Sequence, residues 1–172
     1  MYVTIYVESY TLWNTPMIVI SITPKDISDF FLSDPKLMLL GLPDEDIGLL
    51  YTTGTLPIHP ASVYKGMYEE DELVAIVKWE LFTSNSINMH IYIKSNRQHE
   101  GLLGSIESSL ERWLIENTEL TKVIFMVPEP CTHVHKAMVN YGYVKEGLIT
   151  NSFQWRQSQV GLVLYGKDIK RD

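Results

Sequence analysis

The chain has 172 residues, 45% hydrophobic and 20% charged, with ten tyrosines and four tryptophans. That composition suits one globular domain with a sizeable core and excludes a disordered chain. A net charge of −7 without any basic run argues against a nucleic-acid partner, whose phosphates need clustered Lys and Arg.

The single cysteine, Cys131, excludes an internal disulfide and points to a reducing, cytoplasmic setting. No Lys or Arg precedes Lys25, so the basic n-region of a signal peptide is not expected. No apolar run approaches the roughly 20 residues that cross a bilayer, so no membrane partner is expected either.

In chain order, MYVTIYV (1–7) and PMIVISIT (16–23) are rich in β-branched and aromatic residues and predict strands. TPKDISDFF predicts a helix with Thr23 as N-cap, Pro24 at the first helical position and Asp26 in the first turn. Asp34-Pro35 opens a second short helix, stopped by Gly41-Leu42-Pro43. Residues 43–60, with three prolines and two glycines, read as a long ordered loop. SVYKGMY, ELVAIVKWELF and INMHIYI predict three strands, the last two joined by a TSNS hairpin.

Residues 102–116 predict a helix whose core face is Leu102, Leu103, Ile106, Leu110, Trp113 and Leu114, with Glu107 and Glu111 largely opposite. TKVIFMV is a short buried strand ended by Pro128 and Pro130, and THVHKAMVNYG a helix closed by Gly142. Two strands, near 143–154 and 159–165, finish the chain. This order predicts a mixed α/β sheet with helices on both faces, and a parallel crossover from INMHIYI to TKVIFMV. Such a crossover leaves a crevice at the carboxyl end of the first strand.

The connection SNRQHEGLLG lies at that crevice. Free N–H groups and the macrodipole make a helix amino terminus a ready anion site, and glycines allow close approach. Residues 98–104 could therefore cradle a phosphate, with Arg97 as a nearby cation. Gly101 could equally relieve a tight turn before an ordinary core helix.

On these residues the chain resembles the GCN5-related N-acetyltransferase (GNAT) superfamily, whose signature loop is Q/R-x-x-G-x-G/A. Gln98-His99-Glu100-Gly101-Leu102-Leu103 stands at that place. MIVISITPKDISDFF looks like the family's first strand and helix, EEDELVAIVKWELF like its second-to-third strand hairpin, and KAMVNYGYVKEG like its Y-x-x-x-G-F/Y segment. Four positions depart from the pattern. Leu103 stands where the family places Gly or Ala, followed at once by Gly104. Met138 stands where the family often places a general-acid tyrosine, and Cys131 where it often places Asn. Glu100 adds a carboxylate that would repel a phosphate by up to about a few kcal/mol if poorly solvated.

The resemblance implies a single acyl-CoA N-acyltransferase-like domain over 1–172, with residues 1–15 as an extra amino-terminal element before a core at 16–166. It implies acetyl-CoA as co-substrate and direct acetyl transfer to an amine of a protein or small molecule. The strand carrying Ile91 to Ile93 would splay from its neighbour and pair its backbone with the pantetheine arm. Coenzyme contacts would come from Ile91, Ile93, Arg97, Gln98, His99, Gly101, Leu102, Leu103 and Gly104. The chain also resembles small tailed-phage proteins of this fold, and the departures at Glu100, Leu103 and Met138 favour the rival expectation, a non-catalytic binding or virion-assembly protein. A toxin acting on aminoacyl-tRNA is disfavoured by the charge.

Transfer to an amine needs a base for the ammonium proton and donors for the thioester oxygen. His90 is the candidate base, with an ordinary pKa near 6.5, and Tyr92 or Tyr141 the candidate acid. His90 can equally be a satisfied core histidine. With Phe82 opposite Ile87, His90 would face Trp79, Tyr92 would face Val77, and Glu80 would lie on the other face; a slip of one residue would reverse this. His133 and His135 are two apart, which does not suit one helical metal-binding face, so no metal is expected. Cys131 sits near a helix start, which can lower a thiol pKa. The strand at 1–7 is expected to join a sheet edge, in this protomer or in a homodimer.

Overall fold

The computed structural model describes residues 17–98, 102–155 and 157–171. The expected strand at 1–7, together with His99, Glu100 and Gly101, lies outside the described residues. The described chain folds as β1 (Ile18–Ser21), α1 (Pro24–Leu32), α2 (Pro35–Gly41), α3 (Asp44–Thr53), β2 (Val63–Glu69), β3 (Glu72–Thr83) and β4 (Ser86–Ile93), followed by α4 (Leu102–Asn117), β5 (Lys122–Pro128), α5 (Thr132–Asn140), β6 (Val144–Trp155) and β7 (Ser158–Asp168).

The helix signals act as their chemistry requires. Thr23 and Asp26 form a reciprocal capping box at α1, and the Asp34 side chain caps α2 by accepting from the Leu37 N–H. The expected loop at 43–60 is corrected: most of it is α3. Its prolines flank the helix instead of interrupting it, since Pro43 is the N-cap while Pro57 and Pro60 follow the helix end. Three acids, Asp44, Glu45 and Asp46, meet the positive end of its dipole. Gly54 closes it at φ +71°, a left-handed geometry that glycine adopts without strain. Ile47 and Leu50 are its buried residues, too few apolar positions to announce a helix by periodicity.

The seven strands form one sheet in the order β1-β2-β3-β4-β5-β7-β6. Every neighbouring pair is antiparallel except β4–β5, which the α4 crossover makes parallel. Two cores lie on opposite faces. On the α4 face, Leu102, Ile106, Leu110 and Leu114 pack against β3, β4, β5 and β7 residues such as Trp79, Met89, Phe125 and Val163. On the α1 face, Ile27, Phe31, Met38 and Leu50 pack against Ile76 and against the partly buried Tyr64, Leu73 and Tyr92.

The β3–β4 register differs from the expected one. Leu81, not Phe82, is opposite Ile87, and Phe82 falls in a bulge before Thr83↔Ser86. His90 is therefore opposite Lys78, Tyr92 opposite Ile76 and Asn88 opposite Glu80. That single-residue slip moves Glu80 and Lys78 onto the face of His90, as the period-2 geometry of strands demands. Trp79 goes to the other face, beside Trp113 of α4.

Phe31 joins the helices of the α1 face to β4: it is fully buried and meets the Tyr92 ring edge-on at 5.2 Å. Phe31→Ala should lower the free energy of unfolding by about 3–5 kcal/mol, read from urea denaturation, because the cavity opens beneath three elements at once.

Candidate active site

β3 holds β4 along its length, but β5 holds it at only three positions, Ser86↔Lys122, Ile87↔Val123 and Asn88↔Ile124. From Met89 onward the two parallel strands have no mutual register, so the sheet forks between them. The fork opens toward the β4–α4 connection and the start of α4.

Alternation along β4 sorts the candidate residues. Ile91 and Ile93 face α4 with Ile87 and Met89. Asn88, His90 and Tyr92 face the other way. His90 is half-buried, its ring 6.5 Å from that of Tyr92 and nearly parallel to it, and its Nε2 lies 3.4 Å from Asn88 Nδ2. Burial pushes the His90 imidazole below its ordinary value; the Lys78 ammonium adds to that, and the Glu80 carboxylate opposes it. Glu80 is fixed by the Ser62 hydroxyl at 2.5 Å and by Lys78 Nζ at 3.0 Å, and these partners hold its carboxyl below the usual range. Burial first, and then the charges on Asp46 and Glu80 with neighbouring Tyr64, push the Tyr92 phenol well above its ordinary value. Tyr92 thus keeps its phenolic proton at neutral pH and has an O–H to donate.

Tyr141 does not join this group. It packs with the cluster on the α4 face, close enough to the mouth of α4 that a Cβ at Gly104 would lie 3.5 Å from its hydroxyl. Leu102 is buried there and Leu103 half-buried. The Gln98 amide donates to the Ile93 carbonyl at 3.1 Å, tying the connection back to the end of β4. The Arg97 guanidinium is engaged by Glu69 and, at 3.1 Å, by Glu72 of the β2–β3 hairpin. Its charge is thus matched within the fold.

Asp34 was legible in the sequence only as a helix start. Its carboxylate also accepts from the Ser95 N–H at 2.6 Å and the Ser95 hydroxyl at 2.8 Å, clamping the β4–α4 connection to the mouth of α2. Burial alone would raise the Asp34 carboxyl, but the hydrogen bonds from Ser95 and Leu37 outweigh it and hold it low.

Two further readings change. Burial pushes the Cys131 thiol up, opposite to what its place near a helix start suggested. Glu107, expected on the outer face of α4, is buried: it accepts from the Tyr143 hydroxyl at 2.8 Å and from Lys167 at 3.1 Å. Helical periodicity could not reveal it, because both partners come from the far end of the chain. His135 is locked between the Tyr165 hydroxyl at 3.0 Å and the Pro128 carbonyl at 3.1 Å. Among the described residues no three His, Cys, Asp or Glu side chains are grouped to hold a metal ion.

A sheet forked at a parallel pair, with a helix opening at the fork, is the architecture of GNAT acetyltransferases, and solved structures of that class superpose on it. A chimera of the spermidine N-acetyltransferase SpeG from Vibrio cholerae and hSSAT gives a TM-score of 0.69 at 15% identity, covering 88% of this chain and 95% of that one. The GNAT-family acetyltransferase from Streptococcus pneumoniae gives 0.63 at 14% identity, covering 90% and 99%. The ribosomal-protein-S18-alanine N-acetyltransferase from Escherichia coli gives 0.66 at 9% identity, covering 91% and 96%. The fold is GNAT. Residues 48–172 match the family described as "Protein of unknown function (DUF2824)", and the chain belongs to that family. No curated protein matches it.

The electrostatics of His90 are open to direct measurement. Its imidazole should titrate below 6.5 by NMR; Lys78→Met should raise the midpoint and Glu80→Gln should lower it further. Because the folded chain disfavours the proton, the contribution of His90 to stability is present above about pH 6.5 and lost as pH falls through the depressed midpoint.

Proposed function

We propose that this chain is an acetyl-CoA-dependent N-acetyltransferase that passes the acetyl group directly to an amine of a small molecule or protein. The observation that carries the reading is the fork after Asn88 and Ile124 with His90 just beyond it. Past the fork, β4 turns an unmatched backbone edge toward β5, which suits a pantetheine arm carrying amide groups of its own. The first turn of α4 offers N–H groups and a positive dipole end to a pyrophosphate, with Leu102, Leu103 and Gly104 as the nearest described residues. Gln98, His99 and Gly101 complete that loop in the sequence. Arg97 fits this role poorly, since Glu69 and Glu72 already hold it.

In the transfer, the amine nitrogen attacks the thioester carbonyl, a C–N bond forms and the C–S bond breaks. His90, kept neutral by burial and Lys78, takes the proton that the ammonium must lose. Tyr92, on the same face and kept protonated, is placed to donate; Tyr141, beside Gly104, is the alternative donor to the departing sulfur. Glu80 and Lys78 are set close enough to tune the base through their charges, in opposite directions.

A non-catalytic binding or assembly role is the second reading, and specific residues favour it. Met138, at the family's frequent tyrosine position, is buried core, and Arg97 is committed to the β2–β3 hairpin.

Acetyl-CoA at about 100 times its dissociation constant should stabilise the chain by roughly 2.7 kcal/mol, a thermal shift of about 5–10 °C. His90→Ala should keep that shift and lower kcat by about 10² to 10⁴ against a panel of amines. Binding without turnover by the parent chain would select the second reading, and absence of any shift would reject both uses of the fork.

A further inference from the structure

On the face opposite α4, Asn88 is the last residue of β4 with a partner on each side: Glu80 of β3 and Ile124 of β5. His90, next on the same face, lies beyond the fork and is paired on the β3 side alone, with Lys78. Asn88 is thus a fixed post beside a histidine whose strand is held at one edge. Its Nδ2 lies 3.4 Å from His90 Nε2, the one side-chain hydrogen bond of the imidazole among the described residues. Its Oδ1 is buried and accepts no hydrogen bond from any described residue. A buried carboxamide oxygen left unpartnered costs stability, so cohesion of the fold does not explain it.

The other groups around the ring are already engaged. From β3, Glu80 accepts from Ser62 and from Lys78, and His59, just before β2, bears on Glu80. Tyr92 lies nearly parallel to the imidazole at 6.5 Å, with Tyr64 of β2 and Asp46 of α3 acting on its phenol.

We infer that Asn88 is the positioning residue of His90, donating Nδ2–H to the neutral imidazole and, turned about χ2, accepting through Oδ1 from the imidazolium. The first contact fixes the tautomer: Nε2 carries the lone pair that Nδ2 meets, so the ring proton sits on Nδ1. Once Nε2 gains a proton, the two N–H groups oppose each other. A half-turn exchanges the amide termini, which the broad two-fold χ2 torsion of Asn permits. The clash then becomes a charge-assisted Nε2–H···Oδ1 bond, about twice as strong as a neutral one. One side chain thereby serves both protonation states, which a carboxylate, having no N–H, cannot do.

The consequence for transfer rests on the acetyltransferase reading. The ammonium N–H bond breaks, its electron pair stays on the amine nitrogen, and the proton bonds to His90 Nε2. The turned amide then holds the imidazolium that burial and Lys78 disfavour.

Nitrogen-15 NMR of His90 reads the pair with no coenzyme present. Above the midpoint, Nε2 should give the signal of an unprotonated ring nitrogen and Nδ1 that of a protonated one; the reverse tautomer overturns the inference. Asn88→Leu, similar in shape but without either polar terminus, should lower the midpoint by about half to one pH unit and leave the tautomers mixed. An unchanged or raised midpoint overturns it. Should that variant unfold, the parent chain decides: its Asn88 side-chain amide signals must shift with the His90 midpoint, and signals that ignore it overturn the inference. In turnover, Asn88→Leu should lower kcat about tenfold with KM for acetyl-CoA unchanged, and move the acidic limb of the pH profile to lower pH. A kcat equal to the parent's overturns Asn88 as a positioning residue even where the tautomer holds. A parent chain without turnover rejects the acetyltransferase reading, and the NMR outcomes alone then judge Asn88.

Discussion

The arrangement depends on one constraint, that β4 belongs to two strand pairings of unequal length. Antiparallel pairing with β3 spans β4 from Ser86 to Ile93, whereas parallel pairing with β5 ends at Asn88. A strand held on one edge and released on the other presents backbone groups to a gap without losing its own position. The fork stays open because its α4 face is filled by side chains: Met89, Ile91, Phe125 and Val127 diverge over Leu102, Ile106 and Leu110. Packing density, not backbone hydrogen bonding, therefore sustains the separation.

The same strand sorts chemistry by parity. Odd residues of β4 are committed to the α4 core, so Ser86, Asn88, His90 and Tyr92 are left for the opposite face, the last two beyond the fork. On that face β3 contributes Lys78 and Glu80, and their own contact at 3.0 Å keeps both charges close together. The result is a histidine depressed by burial and by a cation, and modulated by an anion whose proton affinity is itself held down by Ser62. Two carboxylates outside this group, Asp34 and Glu107, do mechanical work. Asp34 fixes the β4–α4 connection, and Glu107 anchors the middle of α4 to Tyr143, just before β6, and to Lys167 of β7.

Much of this was legible because local chemistry and tertiary role coincide. Thr23 with Asp26, Asp34-Pro35 and Gly142 are punctuation that works in any context, and Gly142 does take a left-handed φ of +81°. The apolar stripe of α4 and the β-branched runs of β3 and β5 bury as their periods predict. The failures have a common cause. Helix α3 was hidden because three flanking prolines resemble a loop while the helix buries only Ile47 and Leu50. The register of β3 on β4 turned on whether Phe82 or Leu81 pairs, a choice made by the bulge before Thr83 and not by any residue preference. Glu107 read as an outward charge and Arg97 as a cation near a phosphate because their partners are at least 25 residues away in sequence: Arg97 meets Glu72 and Glu69 at separations of 25 and 28, and Glu107 meets Tyr143 at 36. Long-range electrostatic pairing leaves no periodic trace.

The uneven covering of the sheet links the site to the rest of the molecule. One face is covered from β2 to β7 by a continuous core, while on the other the helices end at the strand that carries His90. A groove placed at that border has a rigid wall, made by Phe31 and Gly41 against Tyr92, and an apolar floor continuing through Ile124 and Met126. Among the described residues, Asn88, His90, Tyr92, Lys78 and Glu80 gather on that face beside the fork, while Lys122, Glu146 and Asp168 lie toward the other end of β4 and β5. Access to His90 from this face is therefore bounded by the wall that Phe31 and Gly41 build against Tyr92 and by the charged pair Lys78–Glu80 across the β3–β4 register.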